Sequence, residues 1–353
     1  MKNPPAFPGL REHVDLTPFN TMNLPAQARF FIEICTVEEL RLALRWADRQ
    51  AVAVLPLGEG SNVILHDNYP GLVLLIRLPG KAVIEKKDDS LLLCVAAGER
   101  WRELVLWAIA QGYHGLENLS DIPGCVGAAP IQNIGAYGVE LVDVFHSLTA
   151  VDRHSGQQVE FNRSDCAFGY RDSLFKHTDH RYIITSVTFK LSRRFMPKLQ
   201  YGGLHEAVLQ SAGQQAISAQ LVSEIVSSIR RQKLPSRSEA GSAGSFFKNP
   251  IVSTQRLQKL RVVWPDIVAY SCGPDRWKLA AAWLIDQCGY RGVTRTSGAG
   301  VYERQALVLV NWGGANGHDI LSLANEVRDK TRDRFGIDLE FEAQVYPRRE
   351  SRQ

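Results

Sequence analysis

Ser245 closes a run of small residues, Gly241-Ser242-Ala243-Gly244, and is followed by Phe246-Phe247-Lys248-Asn249-Pro250. A flexible linker has no use for two phenylalanines, and a core strand has no use for the Gly-Ser run before them. The mixture predicts a tight stretch of backbone that delivers one hydroxyl to a place where chemistry happens. The plain alternative is a serine that closes a turn or caps a helix. Two glycine loops are the other chemical signals. In "LPLGEGSNVIL" Gly58 and Gly60 follow a strand directly, where backbone N–H groups can be aimed at a phosphate. The spacing is neither G-x-G-x-x-G, since Val63 takes the third position, nor G-x-x-x-x-G-K, so a simple turn explains it equally well. "IPGCVGAAPIQNIGAYG" is more unusual, with Gly124, Gly127, Gly135 and Gly138 and no charged side chain. A loop this long and this rich in small residues predicts a nucleotide or cofactor cradle, because long structureless loops are usually functional or disordered. Its Ile, Val and Pro content argues against disorder.

No metal centre is expected. His177 and His180 in "KHTDH" are close but lack a third ligand nearby. The six cysteines are scattered, without a C-x-x-C, and most lie in apolar strings such as "LLLCVAAG". That usage suits a reduced, cytoplasmic setting.

Around these residues the chain reads as alternating helices and strands. "TVEELRLALRWADRQ" opens with a capping box, Thr36 and Glu39, and carries Leu40, Ala43, Leu44 and Ala47 at helical spacing. "AVAVLPLG", "GLVLLIRL" and "LLLCVAAG" read as buried strands, and "WRELVLWAIAQG" as a helix closed by Gly112. Strands resume through "HSLTAVDRHSGQQVEF" and "YIITSVTFKL". "SAQLVSEIVSSIRRQKLP" reads as a helix that stops at Pro235. "RWKLAAAWLIDQCG" and "DILSLANEVRDKTRDRFG" read as helices, "ALVLVNW" and "IDLEFEAQVY" as strands. Patterning weakens between 193 and 220, which is the expected boundary. At 353 residues more than one core is expected. A formal charge of +4 permits an anionic small molecule and gives no reason to expect nucleic acid. No apolar run reaches membrane-spanning length, and "MKNPPAFPGL" has no signal-peptide core.

"GEGSN", "GLENLSDIPGCVGAAPIQNIGAYGVEL", "FGYRDSLFK", "GSFFKNP" and "AAAWLIDQCG" resemble, in order, the motif series of the UDP-N-acetylenolpyruvoylglucosamine reductases. The likeness runs from "NTMNL" to the last predicted strand, and "LQYGGL" resembles the longer subclass with its extra tyrosine. It implies an α+β and α/β architecture: a two-lobed FAD-binding domain of the vanillyl-alcohol-oxidase type over 24–194, a connecting segment over 195–220, and a substrate domain over 221–335. Residues 1–23 would precede these, and 336–353 would return a strand and tail to the active site. By this likeness Gly58, Gly60, Ser61, Asn62, Gly124, Gly127 and Tyr137 contact FAD. Ala128-Ala129 stand where some members carry hydroxyls. No histidine or cysteine is placed for a covalent flavin link, so FAD is expected to be non-covalent.

The implied reaction belongs to bacterial peptidoglycan synthesis. NADPH reduces an enolpyruvyl ether through FAD, with hydride passing from flavin N5 to the vinyl methylene carbon. The carbon next to the carboxylate becomes enolate-like and needs a proton, which the family motif assigns to Ser245. A serine is a weak acid, but such a carbanion is basic enough to take its proton when the hydroxyl is held in line. Phe246 and Phe247 would anchor the loop in apolar packing. Arg171, in "GYRDS", would stabilise the enolate's carboxylate, since a guanidinium grips a carboxylate bidentately. A pair with Asp172, or a structural role, explains that arginine equally well from the residues alone. Glu342 matches the third catalytic position, with an orienting or proton-sharing role; Ala343 follows it where the family usually has valine. "IRRQKLPSR" holds Arg230, Arg231, Lys233 and Arg237, a set that is usually just solvated. The resemblance turns Arg230 and Lys233 toward the substrate's diphosphate, joined by Tyr201, with Asn249, Gln305 and Arg291 as further substrate contacts.

No second nucleotide fingerprint exists for NADPH, which favours one cleft used by NADPH and the UDP-sugar in turn. The expected partners are those two small molecules, with no nucleic acid and no membrane, and the expected assembly is a monomer. Two other readings stay open. A flavin oxidase of small alcohols or lactones on the same fold would have no need of Ser245 or Lys233. A nucleotide-binding module without activity would not take up FAD.

Overall fold

The computed structural model describes residues 8–348. They form two compact units. The first comprises Ala28–Glu59 and Pro70–Arg230 with the described residues up to Val14; the second comprises Asp15–Gln27, Gly60–Tyr69 and the described residues from Arg231 onward. Each unit therefore collects segments distant in sequence, and the first continues past the 195–220 segment expected to connect the domains. The final residues of the expected 336–353 tail lie outside the described residues.

In the first unit, one sheet orders the strands Arg11–Asp15, Gln27–Ile34, Tyr69–Ile76 and Val54–Leu57. The last two run parallel. The helix Val37–Arg49 covers it, and both halves of the predicted capping box form. Leu40, Ala43, Leu44 and Ala47 are buried and pack with Ile32, Ile34, Leu72 and Leu74. A second sheet is antiparallel throughout, in the order Gln158–Asn162, Phe145–Asp152, Tyr182–Ser192, Ser90–Ala96 and Lys81–Lys86. Its core includes Trp101, Leu104 and Val105 of the helix Trp101–Ala110. Gly112 follows that helix at φ +70°, the left-handed stop expected of it. Lys81–Lys86 is exposed along its whole length, and its lysines suit an edge that must not recruit another strand.

The second unit is built on a three-stranded antiparallel sheet of Gly241–Ser245, Val308–Asn311 and Ala299–Val301. The helices Thr254–Val263, Ala281–Gln287 and Gly317–Phe335 share its core with Phe246 and Phe247. Gln344–Tyr346 pairs in parallel with Val63–Leu65. Three expectations are corrected here. The Gly-Ser run is a strand, not a loop, paired with Val308–Asn311, and its first glycine is fixed by a close neighbour: a Cβ on Gly241 would lie 2.2 Å from the Met22 carbonyl oxygen. "RWKLAAAWLIDQCG" splits into the strand Trp277–Leu279 and the helix Ala281–Gln287. "IDLEFEAQVY" is strand only over Gln344–Tyr346. Among the described residues no helix is long and apolar enough to cross a membrane.

Two tyrosines of this unit are buried against carboxylates. Tyr290 donates to Glu326 Oε1 at 3.0 Å and Tyr302 to Glu239 Oε1 at 2.9 Å. Burial first, and the carboxylate second, pushes each phenol up to about 12. The folded chain then keeps protons that the unfolded chain releases from about pH 10 upward. Their contribution to stability is complete below that pH and is lost as pH rises toward 12. Thermal midpoints measured across this range should fall less steeply in Tyr290→Phe and Tyr302→Phe than in the parent.

Candidate active site

The first glycine loop is held by its own surroundings. A Cβ on Gly58 would sit 3.2 Å from Cys125 Sγ, and one on Gly127 would sit 2.5 Å from Ala97 Cβ. In the second unit a Cβ on Gly60 would come within 2.1 Å of the Phe19 carbonyl oxygen. Gly60 and Gly127 are thus demanded by chain packing before any ligand approaches, and Gly58 is closely packed, which revises the reason for reading them as open to a phosphate. Backbone bonds fix the second loop: Val126 donates to Glu99 O and Gly127 to Ala97 O, each at 2.9 Å, and Ala128 to Cys125 O at 3.0 Å. Its middle is a 3₁₀ helix, Val126–Gln132, and a short hairpin pairs Gly135–Ala136 with Val139–Glu140.

The charge around this loop fits the pyrophosphate of FAD. Glu59, the acid between the two glycines of the first loop, accepts the Gly124 amide at 2.7 Å and pairs with Arg100 at 3.3 Å. Burial, with Glu59 adding to it, pushes the Cys125 thiol up to about 11, while Arg77 and Arg100 act against that rise. Two guanidinium groups therefore reach this loop, and the Glu59 carboxylate beside it is already engaged.

Arg171 takes φ +53° and Tyr137 φ +48°, left-handed values that bulky residues rarely adopt. Such strain gathers at ligand clamps and active sites. Arg171 donates from Nη2 to Gly135 O at 2.6 Å, and a Cβ on Gly135 would stand 3.0 Å from Arg171 Nη1. Asp172 meets His177 Nε2 at 2.7 Å. Arg230 donates from Nε to Asp121 O at 3.2 Å, and its guanidinium is held below its ordinary pKa by burial, with Arg171 adding to the effect. Tyr137 and Tyr201 meet edge to face at 5.9 Å. Burial raises the Tyr137 phenol, opposed by Arg230. The first unit therefore gathers Arg171, Arg230, Tyr137 and Tyr201, a cationic and phenolic group suited to an anion.

In the second unit Ser245 faces Val308 across the sheet, after a register shift that follows Ser242. Gly244 at φ +70° makes the bulge. The Glu342 amide donates to Phe246 O at 2.8 Å, which sets the buried Glu342 one residue from the serine on paired backbone. Asn62 Nδ2 donates to Glu342 O at 3.3 Å, and the Gln344 amide to Asn62 O at 2.9 Å. Glu340 is exposed and meets Lys248 Nζ at 2.5 Å. Phe246 and Phe247 are 1% and 0% exposed, so the apolar anchoring expected of them is present. Ser61 is half-buried beside Asn62 in sequence, and Lys233 is exposed.

The other predicted substrate contacts are more dispersed. Asn249 Oδ1 accepts the Ala281 amide at 2.9 Å, at the start of a helix. Arg291 is exposed beside Asp286 at 3.6 Å, and Gln305 lies in the turn whose carbonyl accepts from Val308. Three supporting residues escaped sequence reading. Asn133, at φ +46° and 1% exposed, donates to Glu140 Oε2 at 2.9 Å and to Gly169 O at 3.1 Å, two residues before Arg171. The buried Asn118 donates to Tyr137 O at 2.8 Å and Lys198 O at 2.7 Å. Glu59 is the third. An asparagine inside a glycine loop was the available signal for Asn133. Among the described residues no group of three or more metal-capable side chains occurs.

Residues 28–162 match the model of an FAD binding domain, and residues 235–346 match that of the UDP-N-acetylenolpyruvoylglucosamine reductase C-terminal domain. A UDP-N-acetylenolpyruvoylglucosamine reductase of Pseudomonas putida is 44% identical over 95% of this chain and 98% of its own. One of Ralstonia nicotianae is 46% identical over 95% of this chain and 99% of its own. The crystal structure of the Thermus caldophilus reductase superposes with a TM-score of 0.66 at 27% identity, covering 96% of this chain and all of the other. The expected fold class, an FAD-binding domain followed by a C-terminal domain of this reductase type, is what these matches show. The chain belongs to the UDP-N-acetylenolpyruvoylglucosamine reductase family and is an oxidoreductase with FAD as its cofactor.

Proposed function

We propose that the chain reduces the enolpyruvyl ether of UDP-N-acetylenolpyruvoylglucosamine to UDP-N-acetylmuramate with NADPH, a cytoplasmic step of peptidoglycan synthesis. The observation that carries this reading is the Glu342 amide bonded at 2.8 Å to Phe246 O, which brings the backbone of the buried Glu342 beside the residue that follows the half-buried Ser245. FAD, when bound, would supply the hydride relay between the nicotinamide and the vinyl methylene carbon. Ser245 gives its proton to the carbon beside the substrate carboxylate, where the π electrons arrive. Glu342 orients that hydroxyl or shares its proton. Arg171 grips the substrate carboxylate, whose charge grows as the enolate forms, so the pairing strengthens toward the transition state. Arg230, Lys233 and Tyr201 hold the diphosphate, with Asn249, Gln305 and Arg291 reading other polar groups of the sugar nucleotide. Gly58, Gly60, Ser61, Asn62, Gly124, Gly127 and Tyr137 line the FAD. NADPH and the UDP-sugar use one cleft in turn.

The test is anaerobic. The yellow protein is bleached with NADPH, and the enolpyruvyl sugar nucleotide is then added. Return of the oxidised flavin spectrum with formation of UDP-N-acetylmuramate is the expected result. A reduced protein that ignores this compound but reoxidises rapidly in air would make it an oxidase instead.

A further inference from the structure

The segment between the basic residues and the serine strand is fastened by a carboxylate that belongs to none of the recognised motifs. Glu239 Oε1 accepts from the Tyr302 hydroxyl at 2.9 Å and from Arg304 Nη2 at 2.8 Å. Its Oε2 accepts the Ser236 amide at 3.4 Å, and the amides of Glu239 and Ala240 both return to Ser236 O, at 3.0 and 3.1 Å. The residues Ser236–Ala240 are thereby closed into one turn. Tyr302 is fully buried with Ala240, Val308 and Val310, and Leu234 packs against the same cluster. The Arg304 guanidinium lies over the Tyr302 ring at 5.1 Å.

Tyr302 in turn is the hub of the neighbouring hairpin. Its amide donates to Val308 O at 2.9 Å, and its carbonyl accepts the Gln305 amide at 3.3 Å. Val308 is the residue that faces Ser245. One phenol thus joins Glu239 to the Gln305 turn and to the strand opposite the serine. An exposed arginine–glutamate pair alone contributes little. A buried hydroxyl that loses its acceptor is costly, and this makes the Glu239–Tyr302 bond the decisive one.

We infer that Glu239 is a positioning residue: through Tyr302 it holds the segment Lys233 to Arg237 in the one arrangement in which its cations can meet the substrate's diphosphate. The inference rests on the diphosphate reading of Lys233 given above. Lys233 and Arg237 are exposed, so without this tie their ammonium and guanidinium groups would sample many positions, and ordering them would fall to the substrate.

The test compares Glu239→Ala, Glu239→Gln, Lys233→Ala and the double variant Glu239→Ala/Lys233→Ala as FAD-loaded proteins. Glu239→Ala should raise KM for the UDP-sugar about tenfold with kcat within about twofold, the pattern of lost ground-state binding. Glu239→Gln keeps a carbonyl acceptor for Tyr302 and should restore KM to within about threefold of the parent. If Glu239 acts through these cations, the losses of the two single variants should fall clearly short of multiplying in the double variant. An impaired Lys233→Ala beside a Glu239→Ala with the parent KM would overturn this inference and leave the diphosphate reading standing. So would two losses that multiply in the double variant. Lys233→Ala with the parent KM would overturn the diphosphate reading, and the inference with it.

Discussion

Replacing Ser245 by alanine is expected to slow reoxidation of the reduced flavin by the enolpyruvyl sugar nucleotide on the order of 10³-fold, the middle of the range for losing a positioned general acid. Flavin reduction by NADPH should keep the parent rate, since that half of the cycle asks nothing of the hydroxyl. The fold should tolerate the change. Ser245 is half-buried, its backbone pairing with Val308 does not depend on the side chain, and the Ser242 side chain supports the bulge by accepting the Gly244 amide at 3.0 Å. The loss should therefore appear in rapid-mixing absorbance at the flavin band and not in the melting curve. Parent-like reoxidation in Ser245→Ala would remove the serine from the chemistry and leave the carbanion to be protonated by another group.

Gly60→Ala should have the largest effect on the protein itself. The residue sits at φ +63°, and its Cβ would lie 2.1 Å from Phe19 O and 2.8 Å from Asn20 Cα. Those neighbours cannot retreat. Asn20 is fully buried, donates to Leu16 O at 2.9 Å and Leu24 O at 3.0 Å, and accepts the Leu24 amide at 2.9 Å. The Thr21 amide donates to Gly60 O at 3.1 Å and draws the two segments together. A backbone clash combined with left-handed strain should cost more than about 4 kcal/mol, among the severe outcomes for a single substitution. Little yellow, folded protein should be recovered. Gly156→Ala is the control, because Gly156 has a similar φ of +69° with nothing within 4 Å of its Cβ. It isolates the dihedral penalty, about 1 kcal/mol. Equal melting temperatures and flavin contents for the two variants would show that the Phe19 contact yields.

Much of the fold was legible because local signals and tertiary packing agree. Thr36 and Glu39 cap the helix where the pattern placed it, and Gly112 ends the next. The family motifs carried most of the remaining reading. Failures occurred where a neighbour overrode local preference. Nothing in "GSAGS" announces a strand, and the reason for its first glycine lies outside the segment, in the Met22 backbone lying against Gly241 from more than two hundred positions away. "RWKLAAAWLIDQCG" has helical composition throughout. Its first residues are nevertheless taken into a sheet by Ile251–Val252 and Ala269–Ser271. The candidate site was legible through the family motifs, since Arg171, Ser245 and Glu342 each admit an ordinary structural reading when taken alone. The asparagines that aim the neighbouring backbone, Asn118 and Asn133, look like ordinary loop residues until their carbonyl partners are known.

The parallel pairing of Gln344–Tyr346 with Val63–Leu65 has a consequence for the newborn chain. Asn62 and Glu342, joined by a hydrogen bond in the finished protein, are 280 positions apart. At ordinary elongation rates, Asn62 is synthesised roughly 15 to 60 s before its partner exists. Throughout that interval Val63–Leu65 has no such strand beside it, and the carboxylate assigned to the chemistry has yet to be made. A chain cut short before Glu342 would therefore hold most of the residues described here and none of this junction.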